Sequence, residues 1–313
     1  METSKKYDII GIGVSALDIL SIVERYPDKE SVQKSHETKI QGGGPVSTAI
    51  VTASRLGLRT AMIDSVGDDW CGEIIMKEFR EYGVSTELIR IVEGASSATA
   101  TVLVRKEDGS RAIVFTPGTA SEMPVVEITP EIICSAKIIH MNGRHLESCL
   151  KACELADECG VRISFDGGAN RYRKELDRLI PLTDIFIAAK DFTNKLTNET
   201  DITCSAEYIL NKGAELVVIT DGINGSWIFT ESGDSFHQPA LISENVVDTT
   251  GCGDSYHGAF LYGLVNEMSL KETALLASAA ASINTQALGG RTALPDLNMV
   301  KSFIDKYNKS IDK

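Results

Sequence analysis

The residues best placed to do chemistry lie between Val246 and Phe260. There an apolar strand end (Val246, Val247) runs through Asp248, Thr249, Thr250, Gly251, Cys252 and Gly253 into Asp254, Ser255 and a helix of small residues. Gly251 and Gly253 carry no Cβ, so their backbone N–H groups can approach a ligand closely. The helix beginning near Asp254 adds unpaired N–H groups and a positive dipole end, which together suit a phosphate. A carboxylate in the first turn has two readings. It is an ordinary favourable helix-start residue, or it is a general base taking the proton of an acceptor hydroxyl while the turn stabilises a transferring phosphoryl group.

The run Asp248 to Ser255 followed by His257, Gly258, Ala259 and Phe260 resembles the C-terminal signature of the ribokinase-like (pfkB-type) carbohydrate kinases. The second signature of that family matches Gln41, Gly42, Gly43, Gly44, Pro45, Val46 and Ser47, with Ala53 to Gly57 after it. Ser65 to Asp69, Tyr82 to Val84 and Gly289 to Arg291 extend the likeness over nearly the whole chain. The Gly-Gly-Gly-Pro run and the Gly-Gly-Arg ending are similar to the sulfofructose kinase branch. The resemblance implies an α/β fold, a three-layer α/β/α sandwich with a mostly parallel central sheet and a small β lid. It also implies ATP- and Mg2+-dependent phosphorylation of a hydroxymethyl group on a small sugar or sugar derivative. A nucleoside acceptor, or a sugar-binding protein that has lost transfer, are the alternatives.

Carried onto this sequence, the resemblance makes Asp254 the base and the Gly251, Cys252 and Gly253 amides the anion hole. Asp18 sits near the end of the first expected strand, where ligands of open α/β sheets bind. An acid among apolar neighbours there needs partners, which sugar hydroxyls would supply; a turn aspartate bonding its own backbone is the other reading. Gly42 and Gly43 would face the sugar with their backbone, or form a plain hinge. Ser47 stands where the family carries an asparagine, so a substrate choice unlike that of ribokinase is expected. Arg144 matches an arginine that holds an anionic group in the sulfofructose kinases, but Val32 and Phe115 replace the other contacts, which argues against a sulfonated sugar; a surface role for Arg144 is equally open. No P-loop motif occurs. Thr220, Gly222 and Gly225 match the family's nucleotide turn, or make a simple hairpin turn, and Asn284 joins the nucleotide set. Asp166 with Arg171 or Arg173 echoes a phosphate-side segment.

The family's Asn-x-x-Glu metal motif is missing. Ala188, Ala189, Lys190 and Asp191 stand in its place, so Asp191 substitutes or the nucleotide and waters hold Mg2+, with Lys190 supplying positive charge. Asp248, Thr250 and the Gly289–Gly290 loop fall where related enzymes hold a monovalent cation such as K+. His140, His145 and His257 are catalytic by type, but lone histidines at such places more often pack or face solvent.

The chain has 313 residues, enough for one large domain or two ordinary ones. A formal charge of −13 argues against nucleic acid or an anionic membrane as partner. Seven cysteines without a CxxC pair read as reduced thiols in structural roles. A short polar start before Tyr7 to Gly13, with no long apolar run, points to a cytoplasmic protein. From about residue 42, helices and strands alternate as in a parallel sheet covered on both faces. Residues 19–41 and 99–116 break that rhythm with short apolar–polar alternation. The second is a hairpin turning at Asp108-Gly109. They are expected to form one small lid and, by the resemblance, a homodimer contact. The main domain is then 1–18, 42–98 and 117–313. An ordinary hairpin in the main sheet is the other reading of 99–116.

Overall fold

The computed structural model of the protein describes residues 5–311; residues 1–4 of the polar start, and residues 312–313, lie outside the described residues. Fourteen strands and nine helices are numbered along the described chain: β1(Tyr7–Ile12), β2(Ala16–Val23), β3(Glu37–Gly43), α1(Pro45–Arg55), β4(Thr60–Gly67), α2(Trp70–Glu81), β5(Val84–Ser85), β6(Ile89–Val92), β7(Ala98–Arg105), β8(Arg111–Thr116), α3(Pro130–Ile133), β9(Ala136–Met141), α4(Leu146–Cys159), β10(Arg162–Gly167), β11(Ile185–Ala189), α5(Lys190–Thr197), α6(Ile202–Leu210), β12(Leu216–Thr220), β13(Ser226–Thr230), β14(Ser235–Gln238), α7(Cys252–Val265), α8(Leu270–Asn284) and α9(Leu297–Ile311).

The large sheet runs β14-β13-β12-β11-β10-β9-β1-β4-β5, with β6 on the far end of β4. All its pairs are parallel except the two that add β13 and β14. Its central strands are buried on both faces, as parallel strands covered by helices must be. One face packs on α1, α2, α7 and α8 through Ile50, Phe79, Phe260 and Ile283. The other packs on α4, α5 and α6 through Cys149, Phe192 and Ile209. The result is three layers, with the carboxyl ends of the parallel strands opening along one edge.

The second sheet has the order β3-β2-β7-β8. Its β2 starts at Ala16, with three residues between it and the end of β1, so Asp18 belongs to this sheet and not, as the sequence had suggested, to the first strand. One of its faces buries Leu20, Val102 and Val104 against Leu288 and Val247. The hairpin between β7 and β8 turns at Gly109, whose carbonyl accepts hydrogen bonds from the Thr249 N–H (3.3 Å) and Oγ1 (3.1 Å).

Two further expectations change. Val246 and Val247 are not in a strand; the Val247 N–H donates to the Thr285 carbonyl instead. Cys134, just past α3, and Cys159, the last residue of α4, are joined in a disulfide, while Cys71, Cys149, Cys153, Cys204 and Cys252 are free thiols. The two packed helix ends bring together cysteines 25 residues apart, which spacing alone does not reveal.

Candidate active site

Helix α7 is entered through Gly251, held at φ 72°, a left-handed conformation that glycine adopts without strain. A side chain at Gly251 would also run into the backbone of Gly290. The turn is tied from behind. The Asp248 carboxylate is buried; one oxygen accepts from the Thr250 N–H (2.8 Å) and hydroxyl (2.7 Å), the other from the Gly289 N–H (2.8 Å). Asn284, also buried, donates to the Thr250 carbonyl. The Cys252 N–H donates to the Thr249 carbonyl (3.4 Å), which leaves the Gly253 N–H, without a partner inside a helix, on a fixed loop. Above Gly253 the space is open, with no atom within 4 Å of where a Cβ would stand. That is a cradle for an anion.

Asp254 lies in the first turn of α7, half-buried, and among the described residues it is in no ion pair and accepts no side-chain hydrogen bond. Removal from water raises its pKa, Arg171 opposes this, and Asp166 raises it further. Asp18 reaches the same cavity from the lid. It is 7% exposed, and burial pushes its pKa up to about 7, with Arg291 opposing and Asp254 adding to the rise. Gly43 packs so closely that a side chain there would overlap the Asp18 carboxylate. Among the described residues neither carboxylate accepts a hydrogen bond from a side chain, and the charge of Asp254 bears on Asp18, an arrangement that alcohol groups of a ligand would satisfy.

The glycine loop is fixed by a residue to which the sequence analysis gave no role. Arg291 is 1% exposed, and its guanidinium donates to the Gly43 carbonyl (3.0 Å), Ser47 Oγ (2.7 Å), Thr48 Oγ1 (3.2 Å) and Glu78 Oε2 (2.9 Å). Glu78 in turn accepts the Gly42 N–H (2.5 Å). Ser47 is wholly buried and its hydroxyl donates to the Gly43 carbonyl, so it acts beneath the loop, one layer back from the cavity. The signal was the Gly-Gly-Arg run, whose arginine was read only as part of a likeness.

Cations gather on the other wall. Arg144 is exposed, its guanidinium 5.6 Å from the centre of the Phe115 ring of β8. Crowding by protein, and then the charges of Arg173 and Arg171, hold its pKa below the usual value. Neither Arg144 nor Arg171 is in an ion pair among the described residues, and Arg173 donates to the Gly143 carbonyl. Arg111 of the lid, also unforeseen, donates to Thr249 Oγ1 (2.8 Å), tying lid to anion turn.

The other expected residues sit as follows. Thr220 ends β12 and donates weakly to the Ala188 carbonyl (3.4 Å). Gly222 (φ 55°) and Gly225 (φ 91°) shape the turn into β13, where Lys190 pairs with Asp221 at 3.0 Å. The Asp191 carboxylate is engaged by the Asn170 N–H (2.7 Å) and Lys195 (3.1 Å). His145 caps α4 and bridges Asp64 Oδ1 (3.0 Å) to the Met123 N–H (3.1 Å), a packing role. His140 and His257 lie with Asp166 in a buried group beside α7.

The chain is similar to known proteins along most of its length. Residues 8–297 match the pfkB family carbohydrate kinases. A 5-dehydro-2-deoxygluconokinase of Listeria monocytogenes is 28% identical, over 96% of this chain and 97% of its own length. A putative ribokinase from Agrobacterium tumefaciens superposes with a TM-score of 0.86 at 23% identity, covering 98% of this chain and 99% of that one. A putative ribokinase II from E. coli, solved in complex with ATP and Mg2+, gives 0.84 at 20% identity, covering 96% and 99%. An anion cradle at a helix start, a carboxylate beside it and a match along almost the entire chain lead to one conclusion: this protein belongs to the pfkB family of carbohydrate kinases.

Proposed function

We propose that the chain transfers the γ-phosphoryl group of ATP to a hydroxymethyl group of an acidic sugar, with Asp254 as the base. The carrying observation is the placement of Asp254: free of protein partners, one residue past the open space over Gly253. An acceptor hydroxyl anchored by Asp18 and the Gly42–Gly43 backbone loses its proton to Asp254 as the Gly251, Cys252 and Gly253 amides take the charge of the transferring group. Mg2+ bound to the nucleotide phosphates would neutralise their charge. With Asp191 held by Lys195 and Asn170, that ion would be carried mainly by phosphate and water oxygens. The turn from Thr220 to Gly225 is the proposed nucleotide seat, supported by its place at the end of a parallel strand. Asp248 spends its carboxylate on N–H and O–H donors, so a monovalent cation there would be met by backbone carbonyls.

The acid in the acceptor is inferred from Arg144, Arg171 and Arg173, gathered on one wall of a chain whose net charge is −13. Three cations without a carboxylate partner fit a ligand that brings one. The Listeria relative's name, built on a gluconate, points the same way.

A coupled assay over neutral sugars, sugar acids and nucleosides tests the acceptor; sugar acids should give the highest kcat/KM, and saturation by nucleosides alone would replace this reading with a nucleoside kinase. Asp254→Asn should lower kcat by roughly 10^3-fold with the acceptor still bound. Near-normal turnover in that variant would remove Asp254 from the chemistry.

The lid also supports a homodimer. Ile40, Ile19, Thr101 and Val114 form one cross-strand row on the face turned away from the cavity, with Ile40 49% and Val114 69% exposed. A second copy of this lid is the occupant proposed for that row.

A further inference from the structure

One turn along α7 from Asp254, three elements send polar groups into a space closed to water. His140 comes from β9, Asp166 from β10 and His257 from α7, and they are 0%, 3% and 4% exposed. His140 pairs in register with Ser164, and Asp166 lies two residues further along β10, so both point to the face that α7 covers. One ligand atom from each lies within 4.8 Å of the others. The His257 Nδ1 to Asp166 Oδ1 distance is 3.8 Å, too long for a hydrogen bond.

Each of the three keeps a buried atom with no partner: His140 Nε2, Asp166 Oδ2 and His257 Nδ1. Three such atoms, from three elements, in one place call for a common ligand, because buried polar groups are otherwise nearly always paired. Ser164 Oγ holds His140 Nδ1 at 3.0 Å, which fixes the ring and aims its Nε2 at the group, as the outer partner of a metal-bound imidazole does. Burial also keeps both rings neutral, with pKa values pushed down to about 3 for His140 and about 4 for His257. Neutral imidazole is the form that binds metal.

We propose that His140, Asp166 and His257 bind one divalent transition-metal ion. Two nitrogens and a carboxylate oxygen suit Zn2+, Co2+, Ni2+ or Cu2+, whereas Mg2+ prefers an all-oxygen shell, so this site is distinct from the ion that accompanies the nucleotide. Ligands about 2.1 Å from a tetrahedral ion lie roughly 3.4 Å apart, so the His257–Asp166 pair, at 3.8 Å, must close by about 0.4 Å and no pair, all being within 4.8 Å, by more than about 1.4 Å. The bound ion would pin β9, β10 and α7 together. Its charge, one helical turn from Asp254, would favour the ionised form of that base.

The test starts with full-length protein stripped by chelator and titrated with Co2+ in excess Mg2+. Expected are one equivalent of tightly held cobalt, the visible absorption of a low-coordinate Co2+ site, and shifted imidazole N–H resonances from two of the five histidines. A melting temperature that climbs with free Co2+ should accompany them. Asp166→Asn and His257→Gln, checked for native circular dichroism, should each lose the absorption and weaken binding at least tenfold. Wild-type protein that takes up no cobalt beyond loosely held surface ions overturns the proposal, as do folded variants that bind like wild type. The wild-type titration and its imidazole signals decide the matter even if a variant fails to fold.

Discussion

At the scale of single residues, the site is governed by carboxylates kept from water. As the proposed base Asp254 must be deprotonated to act, and desolvation raises its pKa while Arg171 opposes that rise. The kcat/KM should therefore fall on the acid side through a pKa above the ordinary aspartate range. Arg171→Met removes the opposing charge, so its acid limb should move to higher pH; a limb that stays in place would separate Arg171 from the base. Asp18 has a stability signature as well. Its folded pKa of about 7 exceeds the unfolded value of 3.8, so the native state binds the extra proton between those values. Stability is then greatest below about pH 4, declines as pH rises to about 7 and stays reduced above, with a full effect on the order of 4 kcal/mol. In the free enzyme, Asp18→Asn should melt higher than wild type at pH 8 and close to it at pH 4, and should bind the acceptor poorly. Calorimetry at the two pH values checks this.

At the scale of elements, the glycine loop has its shape because a buried guanidinium holds its carbonyl and a carboxylate holds its amide. Arg291→Met strands Glu78 against the Gly42 N–H with no counter-charge. A loss of about 3 kcal/mol of stability and an acceptor KM raised at least tenfold are expected, with the KM for ATP little changed; equal effects on both substrates would show a general loss of structure. The elements themselves were legible. The alternation of helices and strands from about residue 42 showed in the pattern, because a covered parallel sheet leaves apolar runs separated by amphipathic helices. The motif at 248–255 pointed to the turn that opens α7 and to Asp254 in its first turn. Two features were hidden. The short strands β5 and β6 carry too little pattern to read. The ties of Arg291 to Gly43, and of His140 to Asp166 and His257, join residues far apart in sequence, and no local spacing encodes them. Asp18 was found as a candidate but assigned to the wrong element, because β1 and β2 follow each other with only Gly13, Val14 and Ser15 between them.

At the scale of the whole molecule, the lid is fastened to the body through the β1–β2 and β3–α1 connections, through Arg291 on Gly43, and through Gly109 and Arg111 on Thr249. Its outer row of Ile40, Ile19, Thr101 and Val114 leaves Ile40 and Val114 exposed. Val114→Glu should convert the proposed dimer to a monomer in sedimentation experiments, with the fold retained; an unchanged sedimentation coefficient would assign the row another role. The hydrogen bond from Arg291 to Gly43 spans 248 positions of the chain. On a ribosome working from the amino end, the first forty-odd residues of this protein emerge long before the guanidinium that shapes them has been made. A nascent chain can therefore build much of its central layer early, yet the glycine loop proposed to hold the acceptor lacks its guanidinium until residue 291 has been made, and a fragment cut short before it should bind no acceptor.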